Sequence, residues 1–251
     1  MKLYKYLIRI NHLNYYYLAS NMIAFFQFND AELQAIKLSI KVAVYCSLIS
    51  LPIALWLGYI MARRNFIGKA IVESIIHLPL VMPPVTTGYL LLLLLGSKSF
   101  IGAWLHSTFG IKLAFSFEAA VIASIFVSFP LIVRSVRTAM EMVDTGLEEA
   151  SRILGASKLK TFFKITVPLA LPGIISGSIL AFARSLGEFG ATITFAGNIE
   201  GISQTLPLAI YANMQVPGQE GATLRLVLVS VVISLIAMTL SEILIKRMKR
   251  K

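Results

Sequence analysis

Charge is what this chain has least of. Only 14% of its 251 residues are Asp, Glu, Lys or Arg, and 57% are hydrophobic, against about 25% charged and about 45–50% apolar in an ordinary soluble domain. Cysteine is nearly absent. Cys46 has no partner in the chain, which excludes an internal disulfide, and its place inside an apolar run marks it as a small core filler. Histidine is scarce and scattered, with His12, His77 and His106 in separate segments. No HExxH, CxxC or GxSxG occurs, so no catalytic residue and no metal ligand is assigned. Gly68-Lys69 lacks the upstream glycine and the following hydroxyl of a phosphate-binding loop. An intramembrane hydrolase needs a nucleophile beside a base, and no such pairing is evident. The chain therefore moves or binds something, and any pumping draws its energy from another subunit.

What is present is apolar length. A spanning helix needs roughly 17–25 residues. No charge falls between Lys41 and Arg63, between Glu73 and Lys98, or between Lys164 and Arg184. Two shorter runs, Glu118 to Arg134 and Arg225 to Glu242, reach spanning length when flanking side chains snorkel to the interface. The reading is an all-α polytopic membrane protein with about five transmembrane helices and a sixth left open at the N-terminus. A β-barrel would instead alternate in strands of about ten residues.

The formal net charge of +11 suggests nucleic acid until the charges are placed. Arg63, Arg64 and Lys69 fall in the first connection. Arg134, Arg137, Arg152, Lys158, Lys160 and Lys164 fall in the third, and Lys246, Arg247, Lys249, Arg250 and Lys251 form the tail. The alternate connections hold only Lys98, Lys112 and Arg225. Cytoplasmic loops collect Lys and Arg, so the first and third connections and the C-terminus are expected in the cytoplasm, with the N-terminus outside. The basic bias is topology, and no nucleic-acid partner is expected. At the N-terminus, Lys2, Lys5 and Arg9 resemble a signal-peptide start, but Asn11, His12 and Asn14 interrupt the apolar region that should follow. Tyr15 to Phe28 reads as an interfacial helix, as part of a sixth span extended toward Leu3, or as sequence upstream of a start at Met22. A peripheral extension is the preferred reading.

Several spans carry interruptions. Pro79, Pro83 and Pro84 each lack an amide donor and disfavour helix just before them. Broken backbone at membrane depth is tolerated where protein or a wet cavity surrounds it. The stretch is thus either a kink satisfied by neighbours or a hinged pore helix with Thr86, Thr87 and Gly88 near the path. Glu73 and His77, four apart, read as an interfacial polar pair. In the fourth span Gly173, Gly177, Ala181 and Ser185 recur at intervals of four, a low-bulk stripe suited to close helix packing, within the chain or across a dimer axis. Arg184 and Glu188 read first as an ion pair within one helix and second as groups at the gate of an ion path. Gly187, Gly190 and Gly197 loosen the helix beyond them.

A polar island, EEASRILGASKLKTFFKITVPLALPG, separates the third and fourth spans. Glu148 and Glu149 suit the first turn of a short helix, where the macrodipole favours negative charge. Gly155 suits a left-handed cap, and Ala150, Ile153 and Leu154 give the helix an apolar face. The pattern Glu149-Ala150-Ser151, then Gly155, then after nine residues Ile165-x-Val167-Pro168 resembles the EAA loop of ABC-importer permeases. Ser151 and Val167 are its two small departures. The stretches HLPLVMPPVTTGYLLLLLLG (77–96), SFPLIVRSVRTAMEMVD (128–144) and LAFARSLGEFGATITFAGNI (180–199) are similar to the molybdate-transport permeases of bacteria. The likeness runs from about Met22 to Ile245 and leaves residues 1–21 outside it. Sulfate and thiosulfate permeases share the loop and a GEFG-like segment, and are the nearest alternative.

This resemblance implies a type I ABC-importer permease in the bacterial cytoplasmic (inner) membrane. One transmembrane domain would cover residues 22–251, with a coupling loop at about 134–166. It implies a non-catalytic homodimer seated on two cytoplasmic ATPase subunits, which bind ATP and Mg, and served by a periplasmic molybdate-binding protein. This chain itself would bind no cofactor. Glu148, Glu149, Ala150, Ser151, Gly155, Ala156, Ile165 and Pro168 would form the ATPase-coupling loop. Pro83, Pro84, Thr86, Thr87, Gly88, Arg184, Glu188 and Gly190 would lie near the translocation path or gate. Tungstate, nearly the same in size and charge as molybdate, would be accepted too. A passive channel or secondary transporter would need no such loop.

Overall fold

The computed structural model describes residues 27–249; the readings of residues 1–21, of the stretch from Tyr15 through residue 26 and of Arg250 and Lys251 lie outside them. The described chain is built on helices. Helix α1, Asp30–Arg63, opens with a reciprocal capping box, in which Asn29 caps the Glu32 amide and the Glu32 carboxylate caps the Asn29 amide. Its inward residues are nearly all small: Ala35, Ser39, Ala43, Cys46, Ser50, Ala54 and Gly58 are buried. A Cβ on Gly58 would stand 2.7 Å from Val136 Cγ1, so another helix lies almost against this backbone.

That neighbour is α5, Phe117–Glu141, the centre of the molecule. Of its most apolar stretch 61% is buried, against 11% for the last helix, α11, Glu220–Lys249. Two apolar clusters meet along α5. Ala119, Ala120, Ala123 and Val127 pack with Leu91 and Phe195 at one end, and Ile132, Val133, Val136 and Met140 pack with Ala54 and Ile174 at the other.

Between α1 and α5 the chain forms α2, Lys69–Val81, and α3, Pro84–Leu95, followed by α4, Phe100–Phe109. The sequence left this proline-rich run between a kink and a hinge. The structure breaks it, with α2 and α3 meeting at 113°. Pro83 caps α3 and Pro84 opens it, where the missing amide proton is of no consequence. After α5 come the short α6, Thr145–Ile153, and α7, Lys158–Thr161. A π-turn over Phe162–Thr166 carries α7 into α8, Val167–Leu186, so that Lys158 to Leu186 forms one stem of 29 residues. The short α9, Gly190–Phe195, and α10, Leu206–Met214, lie between α8 and α11. Among the described residues four helices are long and apolar enough to cross a membrane, and five when α2 and α3 count as one broken span.

Candidate functional site

The polar island folds into α6, α7 and the root of α8. Asp144 caps α6 by accepting the Gly146 amide at 2.8 Å. Glu148, in the first turn, points inward. Arg63, at the end of α1, donates to its carboxylate from Nε and Nη2, the shorter contact being 2.9 Å. The same guanidinium donates to the Val143 carbonyl at 2.9 Å. Thr166 Oγ1, fully buried in the π-turn, donates to Glu148 Oε1 at 2.7 Å. One carboxylate thus ties three elements together: the end of α1, the short helix α6 and the root of α8. A π-turn inserts a residue into the helical repeat, and here it is the turn that presents Thr166.

Glu149 and Ala150 are exposed, while Ser151 reaches Thr161 across the loop at 3.2 Å. Gly155 closes α6 with φ of +88°, a left-handed conformation that side chains with a Cβ resist. Its amide donates to Arg152 O at 3.0 Å and that of Ala156 to Ser151 O at 3.1 Å. Ala156 and Ile165 are half-buried, and Pro168 is exposed in the first turn of α8. Ile153 and Leu154 stand 86% and 87% exposed, with Met142 nearby in the chain at 82%. These bare apolar side chains stand on a helix held by the part-buried Arg63–Glu148 pair.

A second set of sequence-chosen residues converges where α3 meets α9. A Cβ on Gly88 would lie 2.6 Å from Ala191 O, and one on Gly190 would lie 2.8 Å from Pro84 Cβ. Only glycine lets the two backbones approach so closely. Glu188 is buried and does double duty: Oε1 accepts the Ala191 amide at 2.8 Å, starting α9, and Oε2 pairs with Arg184 Nη2 at 2.8 Å. The Arg184 side chain remains 32% exposed. The hydroxyls of Thr87 on α3 and Thr192 on α9 are buried without a hydrogen-bond partner among the described residues. Pro83 and Thr86 face outward. Thus Pro84, Thr87, Gly88, Glu188 and Gly190 share one seam, and Arg184 stands at its margin.

The small-residue stripe of α8 is used inside the chain. A Cβ on Gly173 would collide with Ala139, and one on Gly177 would fall 2.6 Å from Ser135 Cβ, both on α5. Ala181 joins the same apolar cluster as Ile132 and Val133 of α5, and Ser185 is buried. Glu73 also departs from its sequence reading. Its partner is Arg137 of α5, at 2.7 Å, rather than His77; Arg137 also holds Glu141 at 2.7 Å. His77 lines the same polar cavity of about 240 Å³. Glu73 lies 64 residues from its partner, beyond the reach of any spacing rule. Sequence reading missed Arg63 and the Glu32–Arg225 pair. Its only signal for them was their position at the ends of apolar runs.

The family model described as "binding-protein-dependent transport system inner membrane component" matches residues 54–250. The molybdenum transport system permease protein ModB of Haemophilus influenzae is 52% identical over 220 residues, covering 88% of this chain and 96% of that protein. ModB of Escherichia coli K12 is 51% identical over 213 residues, covering 85% and 93%. The sulfate transport system permease protein CysW of Synechocystis is 35% identical over 216 residues, covering 83% and 76%. Among solved structures, a bacterial ABC transporter involved in alginate import superposes with a TM-score of 0.70 at 16% identity, covering 91% of this chain and 83% of that one. The MetNI methionine ABC transporter gives 0.63 at 17% identity, covering 87% and 94%. The fold is therefore that of ABC-importer membrane subunits, and the chain belongs to the family of inner membrane components of binding-protein-dependent transport systems.

Proposed function

We propose that this chain is the membrane-spanning subunit of an ATP-driven importer of molybdate, with tungstate as a second cargo. The observation that carries the coupling role is the α6 loop: a helix braced by the part-buried Arg63–Glu148 pair, capped by Gly155, and ending in the bare side chains of Ile153 and Leu154. The choice of molybdate rests on similarity, 52% and 51% to molybdenum permeases against 35% to a sulfate permease.

Two copies of the chain enclose a path for the oxyanion along their common axis. Each α6 seats in a groove of a cytoplasmic ATPase subunit, which supplies the ATP and Mg chemistry. A periplasmic binding protein delivers the loaded ion at the opposite end. In this arrangement the basic end of the bundle, with α6, Arg134 and the C-terminal lysines, lies in the cytoplasm, and the start of the chain lies outside. When ATP draws the two ATPase subunits together, the two α6 helices approach one another. Because Glu148 is bonded to both Arg63 and Thr166, each α6 takes α1 and the root of α8 with it. The α3–α9 seam, tight at Gly88 and Gly190, is the wall that must shift for the ion to pass. Arg184 at its margin is neutralised by Glu188, and its charge reaches a dianion only if that pair parts.

Uptake of radiolabelled molybdate into proteoliposomes tests this. Uptake is expected only with ATP, the ATPase subunit and the loaded binding protein all present. Uptake by this chain alone would make it a channel or secondary transporter.

A further inference from the structure

Helix α1 is bonded at both ends. At the basic end Arg63 holds Glu148. At the far end Glu32, 3% exposed, accepts from Arg225 Nε at 3.1 Å and Nη2 at 2.7 Å while its other oxygen caps Asn29. Arg225 belongs to the first turns of α11. One further tie joins the same end: Ser39 Oγ accepts the Leu206 amide at 2.6 Å, where α10 begins. The helix is continuous over its 34 residues, about 50 Å at 1.5 Å per residue, with Pro52 inside it taking one amide out of the hydrogen-bond ladder. Small side chains seat it close against α5. Both end pairs are Arg–carboxylate pairs with the carboxylate held on both oxygens, a geometry that fixes direction as well as distance.

We propose that α1 is a rigid strut that transmits the coupling-helix stroke to the far end of the bundle, and that Glu32 and Arg225 are positioning residues for coupling. This rests on the proposed docking role of α6. A helix resists axial compression, so a displacement of Glu148 reaches Glu32 as long as the close packing on α5 holds α1 in line across Pro52 and the α5 and α8 contacts slide as a unit. Arg225 then passes it to α11, and the Ser39 tie passes it to α10. In the opposite sense, loaded binding protein seated at the far end signals through the same rod to the ATPases.

Glu32→Gln is the discriminating variant. Glutamine keeps one oxygen to cap the Asn29 amide and puts an uncharged NH2 donor where the Glu32 carboxylate accepted from Arg225. In the assembled complex, unstimulated ATP hydrolysis is expected to stay at the wild-type rate, while stimulation by molybdate-loaded binding protein falls about five-fold or more. The exchange Glu32→Arg with Arg225→Glu is expected to restore part of it. Full stimulation in Glu32→Gln, with or without lower thermal stability, would overturn the strut. Hydrogen exchange on the wild-type complex covers the case in which the variant fails to assemble. Trapping with ATP and vanadate should change protection at 29–36 and 220–227 together with 143–153, and a change confined to 143–153 would overturn it too. Absence of any stimulation in the wild type would instead strike the molybdate-importer reading itself.

Discussion

Glu148 and Gly88 show how much single residues decide here. Glu148 accepts from Arg63 and Thr166 with its side chain only 12% exposed. Truncating it leaves a cation and a buried hydroxyl without their acceptor, a loss of about 2–3 kcal/mol on the scale of charged hydrogen bonds. Glu148→Ala is therefore expected to lower the melting temperature in detergent and to reduce transport more than membrane insertion. Equal transport by variant and wild type, measured per inserted molecule, would show that the brace plays no part in the stroke. At Gly88 the penalty is steric. Any side chain meets the Ala191 backbone, and overpacking of this kind costs about 1–3 kcal/mol. Gly88→Leu should part α3 from α9 and abolish ATP-dependent uptake, which a proteoliposome assay reads directly. Neither contact was legible in the sequence at this level. In the sequence Gly88 read as a residue near the path and Gly190 as a loosening of the helix, neither as a close approach, and the partners of Glu148 lie 85 and 18 residues away.

Helices were more legible than the contacts between them. Apolar run lengths marked α1, α5, α8 and α11 because the bilayer imposes a length that composition alone reveals. Proline marked the break between α2 and α3, but not its 113° angle, which depends on how α3 docks onto α9. The stripe Gly173 to Ser185 announced a packing face, and only the fold assigns that face to α5. For α6 the local rules carried most of the way: Glu148 stands in the first turn and Gly155 follows the last, while Glu149 falls past the first turn and the Asp144 cap was not read. Gly155 has open space around it and strain only in its backbone. Gly155→Leu is thus expected to cost about 1–2 kcal/mol locally, to leave membrane insertion intact, and to turn Ile153 and Leu154 out of register with the ATPase. Co-purification of the ATPase subunit checks this, and normal retention with normal transport would refute docking through α6.

At the scale of the whole molecule, the chain divides its work between two ends. The basic end carries the loop with bare apolar side chains, and the far end carries the Glu32–Arg225 clamp and the α10 tie. Helix α5 lies between them as the buried axis. The family was legible in the sequence through the loop pattern and the GEFGAT segment. The ionic ties that join its two ends were not, since Glu32 and Arg225 are 193 residues apart. The most direct test of the account reconstitutes this chain with its ATPase and compares hydrolysis with the binding protein loaded with molybdate or with sulfate. Stimulation by the molybdate-loaded protein, and little by the sulfate-loaded one, is the predicted result. Stimulation by sulfate-loaded but not molybdate-loaded protein would contradict it.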